Sequence, residues 1–252
     1  MSKRTPRPPA AKSQPEGLGP REGAKRLPRY RDSDAPADER TLDLLSRMTL
    51  EEKAAQMVCV WNHKAETLVD AEGRFDLAKA KAAFADRHGL GQVGRPSDAG
   101  GGLNARGTAE LTNAIQRFFL EHSRLCIPVI FHEECLHGHA AIDATSFPQP
   151  IGLAATFDPE LVESLYAMTA LEARVRGTHQ ALTPVVDVAR DPRWGRVEET
   201  FGEDPYLVSR MGVAAVRGFQ GDASFRDRTR VIATLKHFAA HGQPESGINC
   251  AP

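Results

Sequence analysis

Ile127-Pro128-Val129-Ile130-Phe131 is a short apolar run that passes directly into His132-Glu133-Glu134. Five residues are too few for a buried helix, and the run does not alternate apolar with polar. That combination predicts a strand covered on both faces, the kind found in parallel sheets. Gly91–Gly94, Leu182–Ala189 and Val231–Leu235 read the same way. Helical patterns separate them. Thr108 is placed to cap a helix whose apolar face is Leu111, Ile115 and Phe118, while Asp158-Pro159 and Asp204-Pro205 each put an acceptor at N-cap and a proline at the first helical position. Nearer the start, Leu42, Leu45 and Met48 recur at helical spacing, and Thr49 with Glu52 forms a T-x-x-E capping box for the next short helix. The chain therefore reads as α/β, with about four βα units and a parallel sheet. Four strands cannot close a barrel that needs about eight.

The composition fits this class. The 252 residues carry 32 Lys plus Arg against 33 Asp plus Glu, a net charge of −1, with 41% hydrophobic residues. Such a balance argues against a general nucleic-acid binder, and no apolar run approaches the ~18 residues of a membrane span. Cys59, Cys126, Cys135 and Cys250 form no C-x-x-C pair and suggest neither a disulfide framework nor a zinc site. Residues 1–31 hold nine basic side chains but only two acids, and seven of the 17 prolines fall within residues 1–36. Such a segment buries too little surface to offset its ordering entropy. Residues 1–36 are expected to be a disordered, solvated tail, with no apolar stretch of the kind a secretory signal requires.

Two motifs fail on their context. Gly89-Leu90-Gly91-Gln92-Val93-Gly94 matches a dinucleotide-binding pattern, but the preceding Leu77–Asp86 reads as helix and the following Arg95–Gly102 as a Gly-rich loop. The order is wrong for a nucleotide site, and the glycines are expected to flank a tight strand. His132-Glu133-Glu134-Cys135-Leu136-His137 evokes a zinc-protease helix, yet its histidines are five residues apart rather than four. Neither a metal nor a cofactor is expected.

The chemistry gathers where strands end, the place where parallel barrels carry their sites. Ile127–Phe131 leads into Glu133, Glu134, His137 and His139. Leu182–Ala189 contains Asp187 and leads into Arg190, Asp191, Arg193, Trp194, Arg196, Glu198 and Glu199. Val231–Leu235 leads into Lys236, His237 and His241. Mixed donors and acceptors beside a Trp suit a neutral, polyhydroxylated ligand, with the aromatic face covering C–H surface.

Several stretches together resemble glycoside hydrolase family 3. They are Arg47-Met48-Thr49-Leu50-Glu51-Glu52-Lys53, Leu136-His137-Gly138-His139, Phe147-Pro148-Gln149, Arg190-Asp191-Pro192-Arg193-Trp194-Gly195-Arg196, Gly202-Glu203-Asp204-Pro205 and Lys236-His237-Phe238. The resemblance implies a (β/α)₈ TIM-barrel-like domain over residues 37–252, incomplete at its C-terminus. The implied activity is that of an exo-acting, retaining β-glycosidase, a β-glucosidase first and a β-xylosidase second, needing no cofactor. The implied partner is a β-linked oligosaccharide or glycoside, with no nucleic acid and no membrane. By the same resemblance Glu134, Arg196, Lys236 and His237 would bind hydroxyls of the sugar in subsite −1. Asp187 and Asp191 are expected to be structural, holding arginines.

Retaining glycosidases need two carboxyl groups about 5–5.5 Å apart. The family places its nucleophile on a strand beyond the K-H-F element and its acid/base usually in a following domain. The resemblance therefore implies no catalytic carboxylate in this chain, an inactive isolated chain, and a missing C-terminal region of the same enzyme as its partner. A sugar-binding fragment without turnover is one alternative. An N-acetylhexosaminidase of the same family is another, but Gln243-Pro244-Glu245-Ser246-Gly247 stands where that branch carries D-S-H.

Overall fold

The computed structural model describes residues 27–249. The chain divides into two compact units, residues 1–47 and 48–252. In the first, the described residues form a 3₁₀ turn, Arg29–Arg31, and helix α1, Ala37–Arg47. Charge pairing joins them. Arg29 reaches Glu39 through Nε at 3.0 Å and Nη2 at 2.6 Å, and the Tyr30 N–H donates to Asp43 at 3.0 Å. Residues 27–36, expected to belong to the tail, thus have a defined conformation against α1, because Glu39 of α1 neutralises Arg29 and Asp43 accepts from the Tyr30 N–H. The rest of the expected tail, residues 1–26, lies outside the described residues.

The second unit is an α/β assembly built on five parallel strands: β1 (Cys59–Val60), β2 (Gln92–Gly94), β3 (Ile130–Glu133), β4 (Gln180–Ala181) and β5 (Ile232–Ala233). Its helices are α2 (Leu50–Ala55), α3 (Lys64–Thr67), α4 (Leu77–Ala83), α5 (Ala105–His122), α6 (Pro150–Ala154), α7 (Pro159–Val175) and α8 (Pro205–Gln220). The strands lie side by side in chain order, so each new strand joins the same edge. A doubly wound sheet reverses direction partway, whereas an unreversed order is that of a barrel wall. The register aligns Gly94 with His132, His132 with Gln180, and Gln180 with Ile232.

Five strands stand where about four are expected. The additional one, β1, is two residues long and follows α2 too closely to show an apolar run of its own. Leu182–Ala189 is not itself the fourth strand. β4 is Gln180–Ala181, and the apolar run beyond it continues as extended chain beside the exit of β5, with Val185 bridging Lys236.

Local signals set the helix starts. Thr49 and Glu52 form the expected capping box, and Asp158 and Asp204 cap α7 and α8 ahead of their prolines. The cap of α5 is Asn104 rather than Thr108, which is buried in the first turn and donates its hydroxyl to the Asn104 carbonyl at 3.0 Å. Two apolar clusters cover the sheet. One packs Phe118, Phe119 and Ile115 of α5 against Val93 and Phe131, and the other packs α7 against α8 through Tyr166, Met211 and Phe219. Each such large side chain, fully buried, contributes roughly 1.5–3 kcal/mol. Gly91 is where β2 meets α2: a Cβ there would lie 2.0 Å from the Gln56 carbonyl oxygen. Within the G-x-G-x-x-G stretch, Gly91 therefore serves close backbone packing and Gly94 makes room for the His132 ring, to which a Cβ would come within 2.6 Å.

Candidate functional site

The exits of β3 and β5 and the extended chain after β4 bring four charged groups together. Glu134 is the first residue past β3, and its Oε2 accepts from Lys236 Nζ at 3.1 Å. Lys236 is held where the chain leaving β5 pairs with residues 183–186: Thr234 N–H donates to the Thr183 carbonyl at 2.9 Å, and Val186 N–H donates to the Lys236 carbonyl at 2.9 Å. The next residue, His237, donates twice to Oδ2 of Asp187, from its backbone N–H at 3.1 Å and from ring Nδ1 at 2.8 Å. Asp187 is buried. A carboxylate only accepts, so the Nδ1 proton points at Asp187, and in the neutral ring Nε2 carries the lone pair.

Arg196 precedes a 3₁₀ turn, Val197–Glu199, which swings Glu199 back beneath it. The pair is bidentate, with Nε to Oε1 and Nη2 to Oε2 both at 2.6 Å. Burial pushes the Glu199 carboxyl up, but the Arg196 hydrogen bonds and charge outweigh it and hold the group below its ordinary range; the same pairing raises Arg196. Nη1 of Arg196 stands 2.8 Å from Nε2 of His241. Arginine can only donate, so His241 accepts there. Burial first, and then the neighbouring His237 and Arg196, lower the pKa of His241. The His241 ring packs at 4.3 Å from that of His237 and 5.2 Å from that of Trp194. Gly242 lets this loop close, because a Cβ at that position would lie 2.5 Å from the Val188 carbonyl oxygen.

Glu134, Lys236, His237, His241, Arg196 and Glu199 thus form one connected cluster at the carboxyl ends of the strands. Several of its donors and acceptors are unused. Arg196 keeps two N–H groups beyond its three bonds, Lys236 keeps two, and Glu134 keeps Oε1 as an acceptor. The residues expected around it divide differently. Glu133 and His139 are buried; Glu133 accepts from the N–H and hydroxyl of Ser97, both at 2.9 Å, and lies 3.6 Å from His139 Nε2. His132 sits on β3 rather than on a helix and meets Gln92 Oε1 at 2.9 Å. No three His, Cys, Asp or Glu side chains converge in a metal-binding arrangement among the described residues.

One family model and three proteins bear on the chain's family. Residues 49–252 match the model described as the glycosyl hydrolase family 3 N terminal domain. The chain belongs to glycosyl hydrolase family 3. A β-xylosidase of Formosa agariphila is 44% identical over 135 residues, 51% of this chain and 19% of that enzyme. The structure of a β-glucosidase from Erythrobacter marinus superposes with a TM-score of 0.79 at 37% identity, covering 90% of this chain and 29% of its own. A β-glucosidase from Listeria innocua in complex with glucose superposes at 0.69 with 33% identity, over 84% of this chain and 28% of its own. The chain spans less than a third of the length of these family 3 proteins.

Two readings of this family 3 site change with the structure. Asp187 holds a histidine, not an arginine, because the extended segment after β4 runs directly beside His237. Asp191 does pair with an arginine: its hydrogen bonds with Arg193 pull its carboxyl down to about 2. Trp194 is not an open platform for a sugar. It is 2% exposed, and its indole N–H donates to Asn249 at 3.0 Å. Glu199 and His241 are the partners that sequence reasoning left without a role. The three-residue offset from Arg196 to Glu199 was the available signal.

Proposed function

We propose that these residues form the sugar-binding wall of an exo-acting, retaining β-glycosidase, acting first on β-glucosides. The observation that supports this reading is the convergence of Glu134, Arg196, Lys236 and His237 from three separate strand exits, with Glu134 bonded to Lys236 and Arg196 joined to the His237 ring through His241. Glu134 and Lys236, 3.1 Å apart, offer an acceptor and a donor to one hydroxyl or to two neighbouring ones. Arg196 and His237 supply further contacts to the same ring. The substrate is a β-linked oligosaccharide or glycoside, bound at its non-reducing end.

The covalent chemistry needs a nucleophile and an acid/base, both carboxyl groups, about 5–5.5 Å apart. Each carboxylate of the cluster already serves a partner: Glu134 serves Lys236, Glu199 serves Arg196, and Asp187 serves His237. We assign the nucleophile and acid/base to the part of the longer family 3 enzymes that this chain does not match. A β-xylosidase reading has its own support in the 44% identity to an enzyme of that name.

Titration of the 252-residue chain with glucose and with xylose tests the binding wall, alongside hydrolysis of aryl β-glucoside and β-xyloside. The expected results are saturable glucose binding that Lys236→Ala and Arg196→Ala abolish, and no turnover. A chain that ignores both sugars would overturn the binding assignment. Turnover lost in Arg196→Ala would place the catalytic carboxylates within these residues. The sugar bound more tightly decides between the two substrate classes.

A further inference from the structure

At the amino-terminal ends of β4 and β5, the end of the strands away from the sugar cluster, a cavity of about 260 Å³ is lined by Arg174, Arg226, Arg228 and Arg230, with His179, Gln220 and a single carboxylate, Asp227. Chain geometry brings them there. Arg174 lies in the last turn of α7, His179 immediately precedes β4, and Val231 leads from the arginine-rich loop into β5.

The cavity's charge is not balanced from within. Arg174 donates from Nη1 to the Thr178 carbonyl at 3.0 Å, and Arg230 from Nη1 to the Gly218 carbonyl at 2.7 Å; these oxygens carry no net charge. Among the described residues the ion pair at the cavity joins Arg230 Nε to Asp227 at 3.5 Å, yet that buried Nε has no hydrogen-bond partner. Asp227 is already engaged, since its Oδ1 accepts from the N–H of Thr229 at 2.8 Å and from its hydroxyl at 2.6 Å. Arg226 and Arg228 are exposed residues of the loop that lines the same cavity.

The neutral lining groups have also spent their acceptors. His179 Nδ1 accepts from the Phe131 N–H at 3.0 Å, which puts the ring proton on Nε2. Gln220 Oε1 accepts from the Ala233 N–H at 3.0 Å, which leaves its NH₂. Beside the apolar Phe225, Val231 and Ile232, the polar part of the lining is thus a set of donors with a surplus of guanidinium charge, the chemistry that recognises an oxyanion.

We propose that this cavity is an anion site for a phosphate group, either free orthophosphate or the terminal group of a small phosphate monoester. The volume falls just below the usual range for small-molecule sites, ~300–1,000 Å³, and so suits a phosphate with little attached. A long polyanion fits poorly, because the chain's net charge is −1 and the donors face one cavity rather than a stripe. The site is independent of the sugar cluster, which lies at the other end of the strands.

The test titrates the 252-residue chain with orthophosphate and with methyl phosphate, using chloride at matched ionic strength as control, followed by calorimetry and ³¹P line broadening. Saturable binding that chloride does not reproduce is expected. An Arg226→Gln/Arg228→Gln variant, altered only on the exposed loop, should bind about tenfold or more weakly, as loss of charge-assisted hydrogen bonds requires. Its unfolding midpoint and its glucose titration should match the parent's. Arg174→Gln gives a second, helix-borne variant with the same expectation. No saturable binding, competition by chloride alone, or unchanged affinity in both variants would overturn the proposal. The tighter of the two phosphates identifies the source of the group.

Discussion

One oxygen of Asp187 receives both the backbone N–H and the ring Nδ1–H of His237, at 3.1 and 2.8 Å. Two bonds to a single acceptor fix the rotation of the imidazole as well as its tautomer. Asp187→Asn keeps the shape but can turn an NH₂ toward Nδ1 and reverse the tautomer. We expect glucose affinity to fall about tenfold with the unfolding midpoint nearly unchanged. Long-range ¹⁵N spectra of the imidazole would show the Nδ1–H form in the parent and its loss in the variant. An unchanged tautomer would remove Asp187 from the site's machinery.

The Arg196–Glu199 pair is bidentate and about three-quarters shielded, with side-chain exposures of 27% and 23%. Glu199→Gln leaves the guanidinium without its counter-charge, and we expect a loss of about 1–2 kcal/mol in urea unfolding. The carboxyl lies below its ordinary 4.5 in the folded protein. Its contribution is therefore present above about pH 4.5 and lost as the pH falls through the lower folded value. The variant should show a shallower acid limb than the parent.

His179 titrates in a different window. Burial, with the Arg174 charge beside it, pulls its imidazole from 6.5 down to about 4. The unfolded chain takes up a proton near pH 6.5 while the folded protein refuses it. Stability is full above that value and falls by roughly 2–3 kcal/mol as the pH drops toward 4. The ring ¹H resonances of His179 should not move between pH 8 and pH 5.5, and a midpoint near 6.5 would contradict the half-buried, Phe131-bonded placement.

Two glycines make a matched test of backbone packing. At Gly91 a Cβ would meet the Gln56 carbonyl oxygen at 2.0 Å, whereas at Gly195 nothing lies within 4 Å. Gly91→Ala should cost about 3 kcal/mol or more by forcing β2 and α2 apart, and Gly195→Ala should stay within ~0.5 kcal/mol. Equal effects in chemical denaturation would show that the close approach does not hold β2 in place.

The elements most legible in sequence were those specified locally. The Thr49–Glu52 box and the Asp-Pro starts at 158 and 204 need only neighbouring backbone, and each opens its helix as read. β1 was not legible, because Cys59–Val60 becomes a strand only by pairing with Gln92 and Val93. Thr108 was misread as a cap because Asn104 and Thr108 both offer suitable side chains, and the entry of the chain into α5 selects Asn104. Trp194 looked like a sugar platform until packing buried it.

By itself, then, the sequence determined the α/β class, the family to which the chain belongs, and which strand ends carry polar side chains. These follow from periodicity, capping chemistry and motif spacing, all properties of near neighbours along the chain. Tertiary structure alone decided which of those polar groups meet. Glu134 and Lys236 are joined at 3.1 Å across 102 residues, and Asp187 and His237 at 2.8 Å across 50. Glu133, one residue from Glu134, is turned instead into the interior against Ser97. The reason is geometric: successive residues at a strand exit point to opposite sides, and only the neighbouring strands settle which side faces the site.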